Sequence, residues 1–142
     1  MNTEPASAGD LPAIRHLLAS NNLPDDDLTA DMLGRFVVLR RDGQLSGVVG
    51  IESHRDVALL RSLAVSEELR GKGYGGVLVE AAESLSQASG ATAIYLLTTT
   101  AESFFAARGY RRIDRDLAPA AIRGTTQFSA LCPSTAIVMV KP

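Results

Sequence analysis

A glycine-rich segment with two cations is the part of the sequence best suited to chemistry. The stretch Leu59–Gly76 reads LLRSLAVSEELRGKGYGG: an apolar run, a polar segment, then a glycine-rich stretch. The first N–H groups of a helix lack an intrahelical partner, and glycine lets a ligand approach the backbone closely. Cationic Arg70 and Lys72 add positive charge. The pattern predicts a phosphate or pyrophosphate site formed by Arg70, Gly71, Lys72, Gly73, Tyr74, Gly75 and Gly76.

Other interpretations of these glycines fit less well. Gly71, Gly73 and Gly76 have the spacing of a dinucleotide fingerprint, but that fingerprint directly follows a strand and needs an acid about 20 residues on. Here Ser66–Arg70 intervene, and the next predicted strand runs into Thr98–Thr100 instead of an acid. A P-loop is excluded because no Gly-Lys-Ser/Thr follows the required spacer. A plain turn stays open, although it explains neither the two cations nor the amphipathic helix that follows.

Hydrophobic periodicity predicts the elements that must hold this loop. Helical spacing of apolar residues predicts helices at Leu11–Leu18, at a short segment that starts with Asp25–Asp27 and includes Leu33, at Gly75–Ser89 and at Ala101–Arg108. Apolar runs bounded by turn residues predict strands at Phe36–Leu39, Leu45–Glu52, Val57–Val65, Ala93–Thr98, Tyr110–Asp114 and Ala136–Val140. This order predicts an α+β domain, neither a regular βαβ repeat nor a helical bundle.

Length and charge narrow the class of protein. The 142 residues predict a single domain over 1–142, and 14 Lys and Arg against 16 Asp and Glu give a net charge of −2. A nucleic-acid partner is not expected because such binders usually carry a basic excess. No apolar run reaches roughly 18 residues, so a membrane partner is not expected either. A single cysteine, Cys132, and no Cys/His spacing typical of zinc predict no metal and a reducing cytoplasm.

The loop carries a family resemblance. Arg70-x-x-Gly73-x-Gly75 resembles motif A of the GNAT superfamily of N-acetyltransferases. The resemblance implies that the loop binds the pyrophosphate of acetyl-CoA as cosubstrate. It also implies that the strand end Leu63, Ala64 and Val65 holds the pantetheine and the thioester, with the Val65 N–H polarising the carbonyl. The implied fold is a central mixed, mostly antiparallel sheet with helices on both faces.

A narrower resemblance concerns the acceptor. Leu60–Val65, Leu96–Thr100 and Arg108-Gly109-Tyr110 resemble the short amino-acid N-acetyltransferases, which are similar to the acetyltransferase domain of N-acetylglutamate synthase, and a branch associated with arsenic-resistance operons. The resemblance implies direct acetyl transfer in a ternary complex to the amino group of a small amino acid or analogue, without an acyl-enzyme. A protein or drug amine, and a non-catalytic acyl-CoA sensor, stay open as alternatives. A homodimer is a further implication.

Two positions depart from the family pattern. Phe105 stands where many members have a tyrosine that protonates the departing thiolate, and Thr98 stands where an asparagine is common. Both are expected to contact the coenzyme. The proton then comes from water, from a hydroxyl such as Thr98 or Thr99, or from no dedicated acid. Glu52 is the predicted proton acceptor, acting through water, unless it is a solvated glutamate at a strand end.

Substrate recognition is expected at the strand that precedes the loop. Arg61 is predicted to clamp a substrate carboxylate, and the alternative is a structural ion pair with Glu52 or a loop aspartate. Ser62 and Phe104 are expected to line the substrate side. The acidic run Asp25–Asp27 either attracts a cationic substrate or is a solvated helix start.

Overall fold

The computed structural model describes residues 3–128 and 136–142. Its seven strands are β1 (Thr3–Pro5), β2 (Phe36–Arg41), β3 (Gln44–His54), β4 (Val57–Val65), β5 (Ala93–Thr98), β6 (Arg111–Ile113) and β7 (Ile137–Lys141). The α-helices are α1 (Leu11–Ser20), α2 (Tyr74–Ala88), α3 (Glu102–Ala106) and α4 (Ala120–Arg123). Short 3-10 helices occupy Ala8–Asp10, Ala30–Arg35, Glu67–Leu69 and Arg115–Leu117.

The strands form one sheet in the order β1-β2-β3-β4-β5-β7-β6. The pair β4–β5 is parallel, whereas β1–β2, β2–β3, β5–β7 and β6–β7 are antiparallel. The predicted α+β class with a mixed, mostly antiparallel sheet is therefore confirmed. No helix within the described ranges is long and apolar enough to cross a membrane.

The chain divides into two compact units, so the single domain over 1–142 stays a prediction. The first unit comprises Met1–Glu52 and Leu60–Leu85, and the second comprises Ser53–Leu59 and Ser86–Pro142.

The core of the first unit lies between α1 and the sheet. Its buried members are Ile14, Leu17, Leu18, Leu28, Leu33, Phe36, Val38, Val48 and Ala64. On β3, Val48 faces this cluster, whereas its neighbour Gly47 lies beside Leu78 of α2, where an added Cβ would stand 3.1 Å from Cδ1. Because adjacent strand residues point to opposite faces, α1 and α2 cover opposite faces of β3. This confirms helices on both faces.

The second unit has its own core. Leu59, Ala118, Ile122 and Val138 are buried together, and partly buried apolar residues of β5, β6 and the chain after α4 pack against them. Near this cluster the Arg115 guanidinium lies 4.6 Å from the centre of the Phe128 ring, and its Nη1 donates to the Ala136 carbonyl at 2.8 Å. Arg115 therefore joins the two residues on either side of 129–135.

Most element boundaries differ from the predictions only at their ends, with one exception. Asp25–Asp27 do not start a helix: they lie in a turn, and the helical segment that follows is the 3-10 helix Ala30–Arg35. Strand β1 and helix α4 were not predicted, because elements this short give little periodicity.

An ion pair ties the N-terminal region to the sheet, with Arg40 of β2 binding Asp10 at 2.8 Å and also Glu4.

Gly50 provides a test of the packing on β3. A Cβ at this position would stand 2.4 Å from two atoms of the buried Phe36 ring. We expect Gly50→Ala to lower the free energy of unfolding by about 1–3 kcal/mol, measured by urea titration, because the ring has to move. The control Gly34→Ala, whose Cβ meets nothing within 4 Å, should change it little. Equal stability of both variants would contradict this packing.

Candidate functional site

Strand β4 leaves regular geometry just before its C-terminal end. Ser62 has a φ of 61°, a left-handed conformation that non-glycine residues rarely adopt inside a strand. Beyond it, Ala64 is buried in the core, whereas Leu63 and Val65 are only partly buried. The backbone from Leu63 to Val65 is therefore presented after a local kink rather than in an uninterrupted strand.

The glycine-rich loop follows this strand and ends in a helix. After the 3-10 helix Glu67–Leu69, Gly71 and Gly73 adopt φ values of 79° and 87°, which favour glycine. Helix α2 begins at Tyr74, one residue earlier than predicted, and Val77 donates to the Gly73 carbonyl at 3.3 Å. The partial positive charge of a helix N-terminus thus stands directly behind an exposed loop.

Arg70 links this loop to two other elements of the same unit. Its Nη2 donates to Oδ1 of Asn21, at the C-terminus of α1, at 2.6 Å, and its Nε donates to the Val65 carbonyl at 3.4 Å. Lys72, between the two left-handed glycines, is exposed. Contact of either cation with a phosphate stays a prediction.

Arg61 holds an ion pair, which is the alternative that the sequence left open. Its side chain is 1% exposed. Nη1 and Nη2 donate to the two oxygens of Asp27 at 2.5 and 2.8 Å, Nη1 also donates to Glu52 at 2.8 Å, and Nε donates to the Ser62 hydroxyl at 3.0 Å. These bonds use four of the five guanidinium N–H groups. Direct clamping of a substrate carboxylate would require the guanidinium to give up these partners.

Asp27 was singled out only as part of an acidic run, and neither interpretation of that run describes it. Its carboxylate is 14% exposed and bidentate on Arg61. Burial alone would raise the pKa of Asp27, but the Arg61 hydrogen bonds and charge outweigh it, so the pKa lies below the ordinary 3.8. A buried arginine in a strand needs a carboxylate partner, and that requirement predicted a loop aspartate as one alternative without identifying Asp27.

The lowered pKa of Asp27 predicts a pH-dependent stability. The ionised carboxylate stabilises the fold fully above the unfolded value, near 3.8, and the contribution is lost as the pH falls through the lower folded value. Asp27→Asn should lower the free energy of unfolding at neutral pH by about 3 kcal/mol, as for an ion pair broken at one partner. In urea titrations the difference in the free energy of unfolding between wild type and variant should disappear only below about pH 4. A difference that stays constant into acid would contradict the ion pair's role.

Glu52 lies at the wall of a cavity. Its side chain is 20% exposed and accepts the hydrogen bond from Arg61. The cavity has a volume of about 520 Å³ and is lined by Asp31, Met32, Gly34, Arg35, Ile51, Glu52 and Leu85. Because Glu52 is mostly buried and bound to Arg61, it is not a freely solvated strand-end residue.

Sequence reasoning missed Arg35 as a lining residue, because its place in the 3-10 helix Ala30–Arg35 carries no motif.

The remaining predicted site residues belong to the second unit. The Thr98 hydroxyl accepts a hydrogen bond from the Ala101 N–H at 3.0 Å, just before α3. Phe105 is 5% exposed and packs edge-on against Phe104 and Tyr110, with ring centres 5.0 and 5.5 Å apart. The Arg108 guanidinium lies 3.9 Å from the centre of the Phe104 ring. Contacts of Thr98, Phe104 and Phe105 with coenzyme or substrate stay predictions.

Two further points concern the extent of the site. Cys132 lies outside the described residues. Within residues 3–128 and 136–142, no group of three or more His, Cys, Asp or Glu side chains could hold a metal ion.

Known proteins resemble this chain in sequence. The profile of the acetyltransferase (GNAT) family matches residues 10–113. An uncharacterized N-acetyltransferase of Chlorobaculum tepidum is 36% identical over 108 residues, which cover 75% of this chain and 69% of that protein.

Solved structures share the fold. N-acetylglutamate synthase from Neisseria gonorrhoeae, complexed with coenzyme A and N-acetyl-glutamate, matches 99% of this chain at 22% identity with a TM-score of 0.85. This chain spans only 34% of that synthase chain. A Mycobacterium tuberculosis protein in complex with CoA also has a TM-score of 0.85, at 20% identity, over 99% of this chain and 98% of its own. At these identities the likeness concerns the fold.

Proposed function

Because this chain is an N-acetyltransferase of the GNAT family, we propose that it transfers the acetyl group of acetyl-CoA to the amino group of a small amino acid or analogue. The observation that carries the proposal is the exposed loop of Gly71 and Gly73 in front of α2, with Lys72 between the two glycines. Left-handed glycines before a helix N-terminus suit a diphosphate. The coenzyme's acyl end then lies along Leu63–Val65.

The chemical step needs few groups. The neutral amine attacks the thioester carbonyl, forming the C–N bond, and the C–S bond then breaks to release the coenzyme thiolate. In this proposal the Val65 N–H donates to the developing oxyanion. Glu52 accepts the amine proton through water. Water protonates the thiolate in this proposal, because Phe105 has no proton to give. No covalent intermediate forms on Cys132.

The proposed acceptor is a small zwitterion. The cavity at Glu52 also carries Arg35, and Met32, Ile51 and Leu85 supply apolar walls. A carboxylate for the amine, a guanidinium for the acid group and an apolar wall for the side chain match an α-amino acid. Arg35 replaces Arg61 as the proposed carboxylate partner, because Arg35 lines the cavity and Arg61 does not. The likeness in fold to N-acetylglutamate synthase supports the same substrate class.

Calorimetry and a thiol-release assay test the proposal in two steps. Titration with acetyl-CoA is expected to show saturable binding. If no binding is seen at millimolar coenzyme, the glycine-rich loop before α2 is not the diphosphate site. Release of free coenzyme A with a panel of amino acids, amines and peptides then identifies the acceptor. Turnover with a peptide or a drug amine alone would overturn the amino-acid acceptor.

A second candidate function rests on Phe105. The family resemblance implies that Phe105 stands where the usual acid does, and its ring is buried, which favours a sensor that binds acyl-CoA without turnover. Tight coenzyme binding with no thiol release across the panel would favour the sensor. The homodimer and the cytoplasmic location also remain proposals, supported by the resemblance and by the single cysteine.

A further inference from the structure

We propose that Asp27 and Arg61 are positioning residues that hold Glu52 ready to accept a proton at the cavity wall. This inference rests on the proposed function, since it assigns these two residues a role only if Glu52 acts as the proton acceptor. Asp27, Arg61 and Glu52, which we term the carboxylate–guanidinium cluster, all belong to the first unit.

The three side chains differ in how deeply they are buried and in how they share hydrogen bonds. Arg61 is at the centre with 1% of its side chain exposed, Asp27 has 14% exposed, and Glu52 has 20% exposed. Asp27 accepts from both arms of the Arg61 guanidinium, whereas Glu52 accepts from one of its nitrogens, Nη1. Of the two carboxylates, only Glu52 lines the cavity. The geometry thus has one carboxylate that anchors the arginine and one that the arginine orients.

The charge count explains why two carboxylates are needed. A lone Arg61–Glu52 pair is formally neutral, and a proton on Glu52 would leave the guanidinium without a counter-ion. With Asp27 present, Arg61 keeps a carboxylate counter-ion when Glu52 takes up a proton. Asp27 therefore compensates the arginine while Glu52 takes up and releases the proton. Further charged groups around the cluster are Arg15, whose charge also acts on Asp27, and Arg35 and Asp31 on the cavity wall.

Orientation is the second contribution. A free glutamate side chain samples many rotamers, and fixing it costs up to about 2 kcal/mol. The bond from Arg61 to Glu52 makes this ordering part of the folded state, and the Asp27 fork fixes the arginine in turn. Supporting residues of this kind hold a reacting group within the narrow range of distances and angles that proton transfer needs.

A double-mutant cycle on the full chain tests the inference. We compare Arg61→Lys, Asp27→Asn, Glu52→Gln and the two double variants that contain Glu52→Gln, using acetyl-CoA and the best acceptor of the panel. Lysine keeps the charge but cannot form the fork. Each positioning variant alone should lower kcat about tenfold, and neither should slow the Glu52→Gln enzyme further, because an effect exerted through Glu52 is non-additive. The KM for acetyl-CoA should stay within about twofold of wild type.

Controls separate this role from a general loss of structure. Arg40→Lys alters another ion-paired arginine of the first unit, bound to Asp10, and should leave kcat unchanged. Asp27→Asn keeps an acceptor for Arg61 but is expected to be less stable than wild type, so its kcat is measured at a temperature where thermal unfolding shows a fully folded enzyme. Under that condition it serves if Arg61→Lys does not fold. Multiplying losses in the double variants would overturn the inference and leave the proposed function intact. An unimpaired Glu52→Gln enzyme would instead overturn Glu52 as the acceptor, and an inactive wild type would overturn the proposed function.

Discussion

Glu52→Gln is expected to lower kcat by about 10²–10⁴-fold, the usual contribution of a positioned acid or base. Glutamine has nearly the same shape and still accepts the hydrogen bond from Arg61, so the cavity wall is preserved while the proton acceptor is lost. The binding of acetyl-CoA should not change, because Glu52 lies at the cavity and not at the glycine-rich loop. Steady-state thiol release with the acceptor saturating measures the effect.

Glu80→Gln is the matched control for this substitution. Glu80 is exposed on α2, and its replacement changes the net charge by the same amount. The control enzyme should retain wild-type kcat. A Glu52→Gln enzyme as fast as the control would show that the amine loses its proton elsewhere. A large rise in the KM for acetyl-CoA, with little change in kcat, would place Glu52 in coenzyme binding instead.

Gly73→Val is expected to raise the KM for acetyl-CoA at least about tenfold, because a β-branched residue does not tolerate the φ of 87° found there. The substituted loop has to change its backbone conformation, so the N–H groups that the proposed diphosphate site uses change their direction. Calorimetric titration with acetyl-CoA measures the binding directly. A second titration with free coenzyme A shows whether the acetyl group contributes to the affinity.

Gly90→Val separates backbone strain from the loop's function. Gly90 has a φ of 90°, and a Cβ there meets nothing within 4 Å, as at Gly73. The two variants should lose similar stability in thermal unfolding, but only Gly73→Val should lose coenzyme affinity. If both bind acetyl-CoA like wild type, the diphosphate does not depend on this loop.

The local parts of the site could be predicted from the sequence. The bounds of the strands Val57–Val65 and Ala93–Thr98 are as predicted, because each is rich in apolar residues and is flanked by polar ones. The loop before α2 was predicted because glycine has a distinct backbone preference. Features that depend only on residues adjacent in the sequence could therefore be predicted without knowledge of the tertiary structure.

The contacts between distant residues could not be predicted in the same way. Asp27 and Arg61 are 34 positions apart, and nothing in the run of three aspartates distinguishes the third. Arg35 lines the cavity from the end of the 3-10 helix Ala30–Arg35, whereas the sequence predicted a short helix that starts with Asp25–Asp27. Both features depend on how the chain returns to the sheet, which periodicity does not encode.

Arg115 has a consequence for the order in which the second unit loses its structure. One guanidinium contacts the Phe128 ring and also binds the Ala136 carbonyl directly before β7, so a single side chain holds both positions. Loss of that side chain would release both attachments together, and the chain from α4 to Phe128 and the start of β7 are therefore expected to loosen in one step.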